Sequence, residues 1–211
     1  MAKHPVTPAR RKRRILRDAL VLAAALALLV FSLDFPIFTA GQALNATQAR
    51  SFFGPGEVVT SLDYPREPGT ARGQYDRYYI LRWGDWYAWC GVNHYGLFWQ
   101  TGGLDAVKND PDQPLVPLVV SGRPSGAVLL ISNDPEIAQV EITFPIVAES
   151  TYSLFSVRET DTSENCFLVS FEVDAAFVFP EALQVRGYNA EGELVYQSPT
   201  PETWATRYEL R

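Results

Sequence analysis

Between Ala19 and Leu33 the chain runs through Ala, Leu, Val, Phe and a single Ser, with no charged side chain. Such a run must be covered, either by the rest of the protein or by lipid, because its apolar surface is costly in water. At ~1.5 Å per residue it reaches ~22 Å, short of the ~30 Å hydrocarbon core. Ile15 and Leu16 lengthen it before Arg17, whose stem can snorkel to the headgroups. Phe35, Ile37 and Phe38 add an interfacial fringe beyond Asp34. Counted over 15–38 the segment is long enough to span a bilayer, with Pro36 ending the helix.

Charge is divided about this run. Residues 1–34 hold seven Lys and Arg against two Asp, a net of +5, and residues 35–211 hold 11 basic against 22 acidic residues, a net of -11. A basic flank (1–14) before a span and an acidic body after it predict a cytoplasmic N-terminus and an extracytoplasmic body at the cell membrane. A cleaved secretory signal is the competing reading, with a poor small-residue site at Ala43. The acidic body argues against nucleic acid as a partner, since that needs a basic surface.

The body reads as mainly β in two modules. The first, 45–107, has a brief helix over Thr47 to Phe53, stopped by Gly54-Pro55-Gly56, with Phe52 and Phe53 laid on a sheet. Strands follow at Glu57 to Tyr64, Tyr75 to Trp83, Trp86 to Cys90 and Leu97 to Gln100. They form an antiparallel meander whose first tight turn is Gly84-Asp85. Pro65 to Gly73 reads as a loop, and Asn109 to Pro117, with three prolines, as a linker. The second module, 118–198, has strands at Val128 to Ser132, Ile137 to Phe144, Tyr152 to Val157, Cys166 to Val173, Leu183 to Tyr188 and Leu194 to Tyr196. Short strands at such spacing indicate an immunoglobulin-like β-sandwich. The tail, 199–211, is read as an edge strand with Trp204 as its anchor, or as frayed.

Little in the body has the pattern of a catalytic or metal centre. Cys90 and Cys166 are the only cysteines, and both a disulfide and two partly buried thiols fit the spacing. Alternation points Cys166 away from the sandwich core and toward the first module. His94 is the one imidazole after the apolar run, and Asp85 falls in a turn at the other end of the hairpin. Together they supply neither a triad nor the four ligands of a structural zinc. Acidic turns at Asn109, Asp110 and Asp112, at Asn133, Asp134 and Glu136, and at Asp161 and Glu164 lack the spacing of a calcium loop. No cofactor is expected. Asn45-Ala46-Thr47 matches a glycosylation sequon, a short pattern that chance supplies.

Aromatic density stands out instead. Trp83, Trp86, Tyr87, Trp89, Tyr95 and Trp99 lie within seventeen residues. Alternation puts Tyr79, Leu81 and Trp83 on one face of the meander and Tyr78, Ile80 and Arg82 on the other. Burial of the second face against the sandwich is one expectation, and an exposed aromatic platform for a protein or glycan partner is the other. The function this implies is non-enzymatic binding or assembly at the cell envelope, held to the lipid bilayer through residues 15–38. A hydrolase of envelope polymers, or a secreted carbohydrate- or peptide-binding module, is the alternative.

Overall fold

The computed structural model describes residues 8–33, 37–63, 75–120, 126–148, 151–171 and 178–210. Pro36, the loop 65–73 and the end of the strand expected at Cys166 to Val173 lie outside the described residues, as do residues 1–7 of the basic flank, whereas Arg10 to Arg14 fall within the first helix. Among the described residues the protein is mainly β, with antiparallel sheets and three α-helices.

The first helix, α1, is Pro8–Leu33. Every side chain of α1 whose burial is described is exposed, the apolar Leu20, Val21, Leu22, Leu26 and Leu28 each by more than half. Among the described residues no helix is long and apolar enough to cross a membrane.

Helix α2 is Ala40–Arg50, longer and earlier than the Thr47 to Phe53 that the sequence predicts. A capping box sets its start. The Thr39 hydroxyl accepts from Gln42 N at 3.2 Å, and Gln42 Oε1 accepts from Thr39 N at 3.3 Å. Ala40, Ala43, Leu44 and Thr47 then recur on one buried face.

That face lies on the first sheet. Its strands are β1 (Glu57–Asp63), β2 (Arg77–Trp83), β3 (Trp86–Tyr95), β4 (Phe98–Gln100) and β5 (Leu104–Lys108). The order is β1-β2-β3, and the free edge of β3 is shared by β4 at its end and β5 at its start. Between these two, Thr101-Gly102-Gly103 faces only Gly91-Val92, an extra residue that makes a bulge. The Tyr75 ring lies over this seam, where a Cβ on Gly91 would come within 2.2 Å of it. The turn expected at Gly91 to Gly96 is thus mostly strand, and the reversal occurs at Gly96-Leu97.

The middle sheet has the order β10-β11-β7-β6, from β6 (Leu115–Val120), β7 (Ala127–Ser132), β10 (Thr162–Ser163) and β11 (Cys166–Ser170). The outer sheet has the order β13-β12-β8-β9, from β8 (Gln139–Ala148), β9 (Thr151–Glu159), β12 (Gln184–Tyr188) and β13 (Leu194–Gln197). Strand β6 begins inside the segment read as a linker. Its Pro117 is tolerated because β6 is an edge strand.

The layers stack as α2, first sheet, middle sheet, outer sheet. Tyr79, Leu81, Ala88 and Cys90 pack under α2. Tyr78, Ile80, Tyr87 and Trp89 face Val116, Leu118, Leu129 and Ile131 of the middle sheet. Val128, Leu130, Phe167 and Val169 face Val140, Ile142, Phe144 and Val185 of the outer sheet. The middle sheet is therefore covered on both faces, and all six residues of β7 are buried. The tail forms a short helix, α3 (Glu202–Thr206), not an edge strand. Trp204 does anchor it, buried and donating from Nε1 to Ala182 O at 2.8 Å.

The far face of the outer sheet is mixed, with Val147, Tyr152 and Leu154 exposed toward one end and a charge ladder around Glu141 toward the other. Glu141 accepts from Arg186 at 2.8 Å, from Arg158 at 3.3 Å and from the Tyr188 hydroxyl at 3.2 Å. Burial alone would raise the Glu141 carboxyl, but the bonds from Arg186, Arg158 and Tyr188 outweigh it and hold it below the ordinary carboxylate range. A lowered folded value stabilises above the unfolded value and is lost as pH falls through the folded one. Glu141→Gln should therefore cost about 1–2 kcal/mol at neutral pH. That difference should shrink in acid, which urea unfolding across a pH series would read.

Candidate binding groove

The six aromatics singled out in the sequence do not form one surface. Trp89 and Tyr87 are buried between the first and middle sheets. Trp89 stacks on Tyr78 with centroids 4.7 Å apart, and the Tyr87 hydroxyl bonds the Asn165 side chain at 3.2 Å. Trp83 and Trp86 face each other across the β2–β3 turn and are 44% and 41% exposed. Tyr95 and Trp99 sit at the opposite end of β3, roughly 30 Å away at the usual strand rise. The platform is therefore split, with its centre inside the core.

One part of it opens into a groove of about 560 Å³ lined by Asn45, Gln48, Phe52, Phe53, Pro55 and Trp83. Local geometry builds this groove. Helix α2 stops at Arg50, and Phe52 then takes φ +54°, a left-handed conformation rare outside Gly. That twist separates two neighbouring rings. Phe53 turns inward, edge-on to Trp83 at 5.5 Å, while Phe52 points out and is 94% exposed. The expectation that both would lie on the sheet holds for Phe53 alone. Gly54 lets Trp83 settle, since a Cβ there would sit 2.3 Å from its indole. Gln48 Oε1 accepts from Gly56 N at 2.7 Å and fixes the rim.

The conformation of Phe52 is a cost with no packing return. Phe52→Gly should leave stability unchanged or raise it by up to about 1 kcal/mol, because Gly adopts positive φ freely. Phe53→Ala should instead cost about 3 kcal/mol or more as a buried ring is lost. Thermal unfolding of the two variants separates these outcomes.

A family model, a domain of unknown function called DUF5044, matches residues 36–208. The chain belongs to the DUF5044 family. The DUF5044 match takes in α2, all three sheets and α3, and it excludes α1. No curated protein and no solved structure matches the chain.

Within the DUF5044 region the two cysteines are free and buried. The disulfide left open by the sequence is not formed. Cys90 lies on the α2 side of the first sheet, whereas Cys166 lies in the layer on its other side, as alternation predicts. Burial pushes each thiol up to about 12, against a small opposing bond from Thr47 at Cys90. Thiols so placed are poor nucleophiles. His94 is exposed, its ring 4.9 Å from that of Trp99, and its backbone N–H donates to the Asp76 carboxylate at 2.5 Å.

The acidic turns at 109–112 and 133–136 do meet, through amides instead of a cation. Asn109 and Asn133 exchange side-chain bonds at 2.8 and 3.0 Å, and Asn133 also donates to Asp110 O and Gln113 O. Among the described residues no group of His, Cys, Asp and Glu is placed to hold a metal ion. Thr47 of the sequon is buried, its hydroxyl donating to Ala43 O and accepting from Gly102 N.

Proposed function

We propose that this DUF5044 protein is a single-pass, membrane-anchored binding module with an extracytoplasmic body, assembling with an envelope protein through the Phe52–Trp83 groove. The observation that carries the anchor is α1, whose apolar side chains are exposed wherever their burial is described. Fifteen uncharged residues between Asp18 and Asp34, with Ile15 and Leu16 just before Arg17, approach the length of a span, and lipid is the solvent that suits such a surface. The basic N-terminal flank sets the orientation.

The anchor is read as uncleaved. Cutting at Ala43 would remove the Thr39 cap, the buried Ala40 and Ile37, which pairs with Trp99 in the first sheet. These residues belong to the body, and the family match includes them.

The sandwich is read as immunoglobulin-like. Its two orders, β6-β7-β11-β10 and β13-β12-β8-β9, are those of strands A-B-E-D and G-F-C-C′. The face of the middle sheet that a lone sandwich would leave free is closed here by the aromatic first sheet.

A protein segment suits the groove better than a glycan. Sugar platforms pair aromatic rings with many polar groups, and here the polar lining is Asn45 and Gln48, the latter already engaged by Gly56. Two buried thiols whose pKa burial raises, and the exposed His94 imidazole set edge-on to Trp99, favour binding over catalysis.

The test uses the full chain in intact cells. Alkaline carbonate should leave the protein in the membrane and detergent should release it, while external protease should digest the body. Release by carbonate overturns the anchor, and protection of the body until lysis overturns its extracytoplasmic placement. A photocrosslinker at Phe52 should give a discrete protein adduct that Trp83→Ala abolishes. An adduct unchanged by Trp83→Ala overturns the groove assignment.

A further inference from the structure

The chain re-enters the described fold at Ile37, four residues after α1 ends at Leu33. At ~3.5 Å per residue those four steps reach ~14 Å at most. Ile37 itself must therefore lie within that distance of the end of α1, and the hairpin it joins only a few residues' reach farther. Ile37 pairs with Trp99, accepting its N–H at 2.8 Å, and the Phe38 ring packs against Phe98 at 5.7 Å. These contacts clamp the entering chain to the β3–β4 hairpin. The hairpin tip is apolar and uncovered, with Leu97 84% exposed, Tyr95 70% exposed and Phe38 beside it 61% exposed. Gly96 at φ +61° makes the turn that puts Leu97 at its point.

A polar tip would be the ordinary choice for a two-residue turn in water. Leu, Tyr and Phe together are the side chains of a membrane–water boundary, where an apolar body sinks and a hydroxyl stays wet. We infer that the β3–β4 hairpin tip with Phe38 seats the body on the lipid surface, inserting Leu97 at headgroup depth beside the anchor. Its occupant is the bilayer interface itself. The inference rests on the anchor reading, because only a helix in the membrane brings the tip within reach of lipid. Seating the body through this tip would fix its tilt and turn the groove at Phe52 and Trp83, at the other end of β3, away from the membrane.

The test reconstitutes the full chain in phosphatidylcholine vesicles with benzoylphenylalanine at one position at a time. The positions are Leu26 in α1, Leu97 at the tip and Asp85 in the turn at the far end of β3. All three are exposed, so none disturbs packing. Phospholipid adducts are expected at 26 and 97, with yield at 97 about tenfold above that at 85. An adduct at 26 with none at 97, or equal yields at 97 and 85, overturns the seating and leaves the anchor standing. No adduct at 26 or 97 overturns both.

Discussion

Trp89→Ala should lower the unfolding free energy of the body by about 3–5 kcal/mol, in the range of buried aromatic truncations. Trp89 is 1% exposed, stacked on Tyr78 in the layer between the first and middle sheets. Its Nε1 has no hydrogen-bond partner, so the substitution sacrifices no bond. The whole effect is lost contact and the cavity left between two sheets whose backbones cannot close on it. Trp86→Ala is the internal control. It lies on the other face of the same strand, 41% exposed, and should cost about 1 kcal/mol or less. Guanidinium unfolding also tests the stack as a whole. Layers sharing buried faces should unfold in one transition, whereas separable modules would give two. A biphasic curve in the parent protein would show that the seam at Trp89 does not couple them.

Gly102→Ala should be nearly as damaging although it adds one methyl. A Cβ at that position would sit 1.9 Å from the Gly91 carbonyl oxygen and 2.7 Å from the Tyr75 ring. The first obstacle is backbone, which cannot rotate away. The strand must shift, and with it the bond from Gly102 N to the Thr47 hydroxyl that ties α2 to the sheet. Overpacking of this kind costs about 3 kcal/mol. Circular dichroism melts of Gly102→Ala and Gly103→Ala would compare the two seam glycines. At Gly103 the nearest atom is the far end of the Tyr75 side chain, its hydroxyl at 2.6 Å, which can move. Equal melting of both variants would show that the bulge is not the constraint.

Alternation carried most of the fold into view. Tyr78 and Ile80 against Tyr79 and Leu81, and Phe167 against Cys166, fall on the faces their spacing assigns, because a period of two leaves a pleated strand no other choice. Strand β6 was hidden by Pro117 within it and by Pro114 just before it. Reading Pro117 as a break is sound for a central strand and fails at an edge, where its missing N–H costs no ladder bond. Strand β5, Leu104–Lys108, is short and carries Asp105 and Lys108, so no apolar stripe marks it. The start of α2 was legible in principle, since Thr39-Ala-Gly-Gln42 is a capping-box spacing. The groove was not. Two adjacent Phe residues cannot both face one sheet, but which of them leaves is decided by the left-handed turn at Phe52, and a single-residue twist has no periodic signature.

Strand β7 has neighbours above and below along its whole length. An ordinary surface strand can trade every second side chain for a polar one and keep its place. Here neither set of positions faces water, so replacement by a polar group is costly at each of the five apolar positions from Ala127 to Ile131. Sequence drift compatible with this architecture is pushed outward, to the water-facing side of the Glu141 ladder and to the turns. Variants selected for altered recognition would therefore arise at the rim of the stack and seldom through its centre.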